Sequence, residues 1–365
     1  MTTDDRRRLP LAGEARPDPS PHASRGERHL WMEETRLVRA ALRGALGGGL
    51  QRGISRLLDE HMPPTLPARM HLYLDNACGQ ACAFCEQPIL WGTATGRTLQ
   101  TMADMGQSLG ANVVSTGVFD ALLRVAAQRA TPLRLEVTGN DWTRHPRRDQ
   151  LLQRLAEERD VRVTLSGPST ALADAALARQ VAALPTLEGV VLTLQSPDPA
   201  RHDLCTRTAG SGALVLRALD HLQALGVHVQ VNTVLTADAV TTLPDLLKTL
   251  AQRGLRSTLL TFVPDGRAGG AHAATIHPSM REVRDAFERT PPSAIGVIES
   301  VEGLPPCAAP AALRERLRPV WSTEHREPMR YGSRCGACAA RGTCSGVVAS
   351  YLLAHGDDTL RPIEG

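Results

Sequence analysis

The sequence predicts an α/β fold: a partial (β/α)6 barrel with an N-terminal helical extension and a small C-terminal Cys-rich domain. Three observations carry this. Strand-like and helix-like segments alternate after about residue 67, a rhythm that demands right-handed crossovers and a parallel sheet. The strands alternate polar with apolar residues, whereas parallel strands buried on both faces read as uniformly apolar. Finally, seven of the eight cysteines fall into two groups, three at 78–85 and four from 307 onward.

Composition bounds the function. A net charge of +3 with interspersed signs, and 3% aromatic residues, argue against general nucleic-acid binding. No stretch reaches the roughly 18 apolar residues of a membrane span. The start, "MTTDDRRRLP", lacks the apolar core of a secretory signal. A cytoplasmic location follows as an expectation, and in a reducing compartment clustered cysteines point to metal rather than disulfides.

Residues 1–27, rich in Pro, Arg, Asp and Ser, read as a disordered tail. Residues 28–66 carry leucines at helical spacing, broken at the "GGG" of 47–49, and form the helical extension. The barrel spans 67–270. Its expected strands are 70–75, 133–138, 161–166, 189–195, 228–235 and 257–263, with helices near 117–130, 147–159, 171–184, 212–226 and 243–254. On these strands His71, Tyr73 and Asp75 share one face, as do Arg162, Thr164 and Ser166, Thr193 and Gln195, and Gln230 and Asn232. Helices cover the apolar side, so the polar side lines an open lumen suited to a polar ligand. Residues 271–306, with one helix near 279–289, read as a bridge, and 307–365 as a separate small domain.

The densest signal is "LYLDNACGQACAFCEQP", which places Cys78, Cys82 and Cys85 directly after the first strand. A structural zinc site wants four ligands, and a disulfide framework an even number. The CxxxCxxC triplet is suited to holding three irons of a [4Fe–4S] cube and leaving the fourth open. An open iron can bind an amine and a carboxylate, such as the methionine end of S-adenosylmethionine. The motif, its position and the βα units together resemble the radical S-adenosylmethionine enzymes, in which the residue before the third cysteine is often aromatic, as Phe84 is. The resemblance covers about 68–270. In that family a glycine-rich turn ends the second strand and contacts the methionine amino group; here Gly139, Asn140, Asp141 and Trp142 take its place, a departure that retains an acid. The resemblance puts Thr193 and Gln195 at ribose and methionine contacts and Arg207 at the methionine carboxylate, with a solvated loop charge as the alternative for Arg207. Asn232 and Val263 are further cofactor contacts, and "VPDGRAGG" resembles the turn that closes such barrels.

The C-terminal "CGACAARGTCSG" has CxxC-x5-C spacing at Cys335, Cys338 and Cys344, with Cys307 earlier. This is similar to the SPASM auxiliary-cluster domain, closer to its shortened twitch form, and implies one second [4Fe–4S] cluster; a four-cysteine zinc site is the competing reading. Cys205 reads as a buried or loop residue, or else as a radical relay. The resemblance implies reductive cleavage of S-adenosylmethionine to a 5′-deoxyadenosyl radical that abstracts a substrate hydrogen. It also implies an electron donor such as flavodoxin or ferredoxin. Peptide or protein modification is the favoured substrate class, a nucleotide or other small molecule the second, and a non-catalytic electron-transfer or scaffold protein a third reading. Tyr73, Glu136 and Cys205 are the catalytic candidates.

Overall fold

A computed structural model describes residues 69–74, 78–85, 127, 131–139, 141–145, 148–261, 273–318 and 329–365. The expected tail, the helical extension, the helix at 117–130, Asp75, Asn140, Val263 and the turn at 263–270 lie outside the described residues, as do the side chains of His71, Tyr73 and Gly139.

Eight strands pair in sequence order into one sheet: β1 (Arg69–Leu74), β2 (Leu133–Gly139), β3 (Val161–Gly167), β4 (Leu187–Thr193), β5 (Val229–Leu235), β6 (Arg256–Thr261), β7 (Ile298–Glu302) and β8 (Leu317–Arg318). Every pairing is parallel. Strand order that never reverses keeps all right-handed crossovers on one face, so the sheet curls into a partial barrel instead of being wound on both sides. The six strands expected from sequence are the first six. β7 prolongs the sheet within 271–306; its "IESVE" has no apolar run, and only Ile298 and Val301 are buried.

Alternation along the strands separates two environments. On β5, Val229, Val231, Thr233 and Leu235 are buried against the helices, while Gln230, Asn232 and Val234 are half-buried on the other face. Register carries that inner face around the sheet: Glu136 stands beside Thr164, Val191 beside Gln230, Thr193 beside Asn232, and Thr258 beside Ser300. Gln230 Nε2 donates to Thr258 Oγ1 at 2.6 Å, and Thr258 and Ser300 hydroxyls lie 3.1 Å apart, a polar ladder across three strands. The outer face, with Leu135, Val163, Leu165, Leu192, Val231 and Leu259, packs under the helices and forms the main core.

The helices follow local signals. α1 (Arg148–Glu157), α2 (Ala175–Ala182) and α4 (Ser211–Ala224) lie within or beside the expected segments; α2 begins at Asp174, whose carboxylate accepts from Ala176 and Leu177 N–H. Between α2 and α4, α3 (Pro199–Thr206) was expected as loop. Its signal is local: Asp198 caps it by accepting from Ala200 N–H, and Pro199 takes the first turn. α5 (Ala237–Gln252) starts six residues before its expected position because Thr236 caps it, Oγ1 accepting from Ala239 N–H at 3.1 Å, and carries Pro244 internally. α6 (Ala273–Ile276) and α7 (Met280–Glu288) follow, the latter opened by a Ser279–Glu282 capping box.

The junction of α3 and α4 is locked by one carboxylate. Asp203 accepts from Gly210 N–H (2.6 Å), Gly212 N–H (2.7 Å) and Ser211 Oγ (2.9 Å), which holds its pKa below the usual range despite the cost of burial. A Cβ at Gly212 would lie 2.6 Å from the Pro199 carbonyl oxygen, a backbone atom that cannot swing away. Gly212→Ala is therefore expected to cost about 1–3 kcal/mol, read as a lower urea midpoint with unchanged m-value.

At the C-terminal end, β9 (Met329–Arg330) pairs antiparallel with β10 (Val347–Val348), which leads into α8 (Ala349–His355). Tyr351 of α8 is 1% exposed, its hydroxyl accepting from Met280 N–H at 2.9 Å and lying 2.5 Å from Thr359 Oγ1. Among the described residues, no helix is long and apolar enough to cross a membrane.

Candidate functional site

The first cysteine group leaves the C-terminal end of β1, where parallel strands deliver their loops to the barrel mouth. Cys78, Cys82 and Cys85 are half-buried on this loop. It is pinned to the end of α3: Ala81 N–H donates to Thr206 O (3.1 Å) and lies 3.2 Å from Thr208 Oγ1, and Ala83 N–H donates to Cys205 O (3.1 Å). Within the loop, Gln80 N–H donates to Cys78 Sγ at 3.4 Å, and Cys82 Sγ donates to Gln80 Oε1 at 3.3 Å. Gln80 is buried, and its Nε2 has no acceptor among the described residues. Phe84 packs with Ala83 and Val234 around Ile276. Gly79 lies so close to Arg144 that a Cβ would stand 2.7 Å from its Nη1. Gln80, Arg144 and Thr208 were not singled out from sequence; the only sequence signal is the small residue at position 79, which lets a neighbour approach.

Around the mouth, Thr193 and Asn232 are half-buried in register with each other, as the alternation required. Gln195 is fully buried: its Oε1 accepts from Val234 N–H at 3.2 Å, its own N–H donates to His202 Nδ1 at 3.2 Å, and its Nε2 has no acceptor among the described residues. Asp141 is turned onto Thr143, accepting from its N–H (3.1 Å) and hydroxyl (2.5 Å) as the cap of a 3-10 turn at Trp142–Arg144. Burial pushes its carboxyl above the usual value, the Thr143 bonds opposing. Trp142 is buried with its Nε1–H donating to Ser169 Oγ at 2.9 Å, so its ring fills core. Gly139 closes β2 opposite Leu74, and Tyr73 stands in register with Thr138. Glu136 is half-buried on the inner face.

Arg207 is exposed and ends α3 in the left-handed region at φ 50°. Cys205 is buried, with its thiol beside Thr236 and Asp238 at the start of α5; burial pushes it up to about 11. Its described part in the site is therefore its carbonyl, which receives Ala83 N–H.

Two buried histidines impose a pH dependence. His202 and His277 are held down to about 4, in each case first by burial, which penalises the charged ring. Above pH 6.5 both rings are neutral whether folded or unfolded. Between 6.5 and about 4 the unfolded chain takes up protons that the folded chain refuses, so stability falls as pH falls through that window. Urea unfolding at pH 5 should show a loss of about 2 kcal/mol per ring relative to pH 7. His202→Asn should remove that ring's share.

The second group gathers Cys307, Cys335, Cys338 and Cys344, all half-buried. Cys307 and Cys344 are raised mainly by burial, and each also feels Cys335, Cys338 and backbone N–H donors. Gly346 N–H donates to Cys344 Sγ and Ile363 N–H to Cys338 Sγ, both at 3.3 Å. Tyr331 braces the group, its hydroxyl donating to Cys344 O at 2.7 Å under the Arg341 guanidinium, 4.4 Å from the ring centroid. Among the described residues, no three His, Cys, Asp or Glu side chains are gathered as one metal ion needs.

No family model matches the chain. No curated protein matches it either. Solved structures similar to it include Streptococcus suis SuiB bound to precursor peptide SuiA, at 16% identity, TM-score 0.45, over 66% of this chain and 49% of that one. Another is anSMEcpe with bound AdoMet and Cp18Cys peptide, at 12% identity, TM-score 0.42, over 60% and 57%. A third is methylornithine synthase (PylB), at 13% identity, TM-score 0.40, over 73% and 78%. The chain thus spans about half the length of SuiB.

Proposed function

We propose that the protein is a radical S-adenosylmethionine enzyme with two [4Fe–4S] clusters, one on Cys78, Cys82 and Cys85 and one on Cys307, Cys335, Cys338 and Cys344. The observation that carries this is the three-cysteine loop at the C-terminal mouth of a partial parallel barrel, fixed by Ala81 and Ala83 to the end of α3. The surroundings fit a polar cofactor. Gln80 Nε2 and Gln195 Nε2 are buried donors without acceptors among the described residues, one on the cysteine loop and one just beyond β4. Such orphans are costly unless a ligand meets them. Thr193 and Asn232 add half-buried polar groups beside them.

Cys78, Cys82 and Cys85 would hold the first cluster, which would supply the electron for reductive cleavage of S-adenosylmethionine and so the means to remove a substrate hydrogen. The chain's own part is to hold the loop rigid, orient the cofactor and present one C–H bond, a matter of positioning. The inner face from β4 to β7 offers Thr193, Gln230, Asn232, Thr258 and Ser300, neutral groups that match peptide amides better than phosphates. The substrate is accordingly a ribosomally made peptide or protein, and the electron donor a flavodoxin or ferredoxin in the cytoplasm. Four thiolates at the second site complete a cube's ligands and suit electron transfer rather than substrate ligation. Anaerobically reconstituted protein given dithionite and S-adenosylmethionine should release 5′-deoxyadenosine and methionine. Protein that carries its iron yet neither binds S-adenosylmethionine nor releases these products would end the proposal.

A further inference from the structure

The last residues of the chain fold back over the second cysteine group. Ile363 N–H donates to Cys338 Sγ at 3.3 Å. The segment is held at several points. Ala339 N–H donates to Ile363 O (2.9 Å), Arg284 Nη1 to Thr359 O (2.8 Å), and Leu360 N–H to Asp357 O (3.0 Å). Asp357 in turn accepts from Ser333 N–H (2.5 Å) and Oγ (2.6 Å), and Leu360 is buried at 2% exposure. An amide dipole is thus aimed at a sulfur of the second group from a strap fixed at both ends. Amide donors stabilise the more negative, reduced form of an iron–sulfur cluster and so raise its potential.

We propose that residues 359–363 are a positioning strap whose backbone N–H at Ile363 sets the reduction potential of the second cluster. This rests on the two-cluster reading above. The test uses the full chain in a Cys78→Ala, Cys82→Ala, Cys85→Ala background, so that only the second site is read. Iron and sulfide are measured first: zinc in their place would overturn the two-cluster reading, and the strap with it. With iron and sulfide present, an EPR-monitored redox titration decides the strap alone. Ile363→Pro deletes one N–H while keeping the carbonyl that Ala339 uses, and should shift the reduction equilibrium about tenfold toward the oxidised form, about 59 mV for one electron. Ile363→Ala, which keeps the N–H, should leave the midpoint unchanged. An unshifted Ile363→Pro midpoint, or an equal shift in Ile363→Ala, overturns the strap. Should the proline variant fail to assemble, pulsed EPR of the chain with its native strap, 15N-labelled at isoleucine, decides instead. A resolved amide-nitrogen coupling supports the strap, and its absence overturns it.

Discussion

Replacing Cys78, Cys82 and Cys85 together by alanine is expected to abolish 5′-deoxyadenosine formation while leaving about half of the wild-type iron, still as a cubane. The two halves of that result have separate causes. The three thiols sit on one loop whose bonds run to α3, through Thr206, Thr208 and Cys205 carbonyl. The second group is bound instead to α7, α8 and the chain end, through Arg284, Tyr351 and Ile363. Removing the first set therefore leaves the second set's supports intact. Loss of all iron, with zinc found in wild type and variant, would assign the second group a structural zinc and leave the chemistry to one cluster. Persistence of 5′-deoxyadenosine in the variant would remove the triplet from catalysis altogether.

Much of the scaffold that places these groups was legible in the sequence, because side-chain direction in a strand has period two. Gln230 and Asn232 against Val229 and Val231 is the same alternation in sequence and in burial. β7 was not legible, since five residues with two glutamates carry too little apolar signal and owe their strand to pairing with β6. α3 was hidden for a different reason. Its cap and proline are local signals, but they lie inside a stretch whose family resemblance reads as loop. Among the candidate site residues, the cysteines were proposed from their spacing and Gln195 from strand phase and the resemblance. Gln80, Arg144 and Thr208 were not, because what brings Thr208 to Ala81 is a contact between residues 127 positions apart. Asp141 entered as a candidate through the resemblance of its turn, and its carboxylate is bonded to Thr143 two residues away.

Tyr351→Ala is expected to loosen the second cysteine group from the barrel and to cost about 3–5 kcal/mol, the range for deleting a large buried aromatic side chain. Tyr351 is 1% exposed, meets His277 edge-on at 5.8 Å and His355 at 5.1 Å, and burial raises its phenol against the opposing bonds from Thr359 and Met280. It is also a polar link, tying Met280 N–H at the start of α7 to Thr359 at the start of the strap. Tyr351→Phe separates the two contributions. It keeps the ring but leaves Met280 N–H and Thr359 Oγ1 without the hydroxyl, a loss of about 1–2 kcal/mol. Urea unfolding measures both variants. In the Cys78→Ala, Cys82→Ala, Cys85→Ala background, iron retained per chain tells whether the loss reaches the second site. If Tyr351→Ala unfolds at lower urea yet keeps its iron, the four cysteines hold together without the barrel. If iron falls with stability while Tyr351→Phe retains it, the buried ring, more than the hydroxyl, is what joins the two.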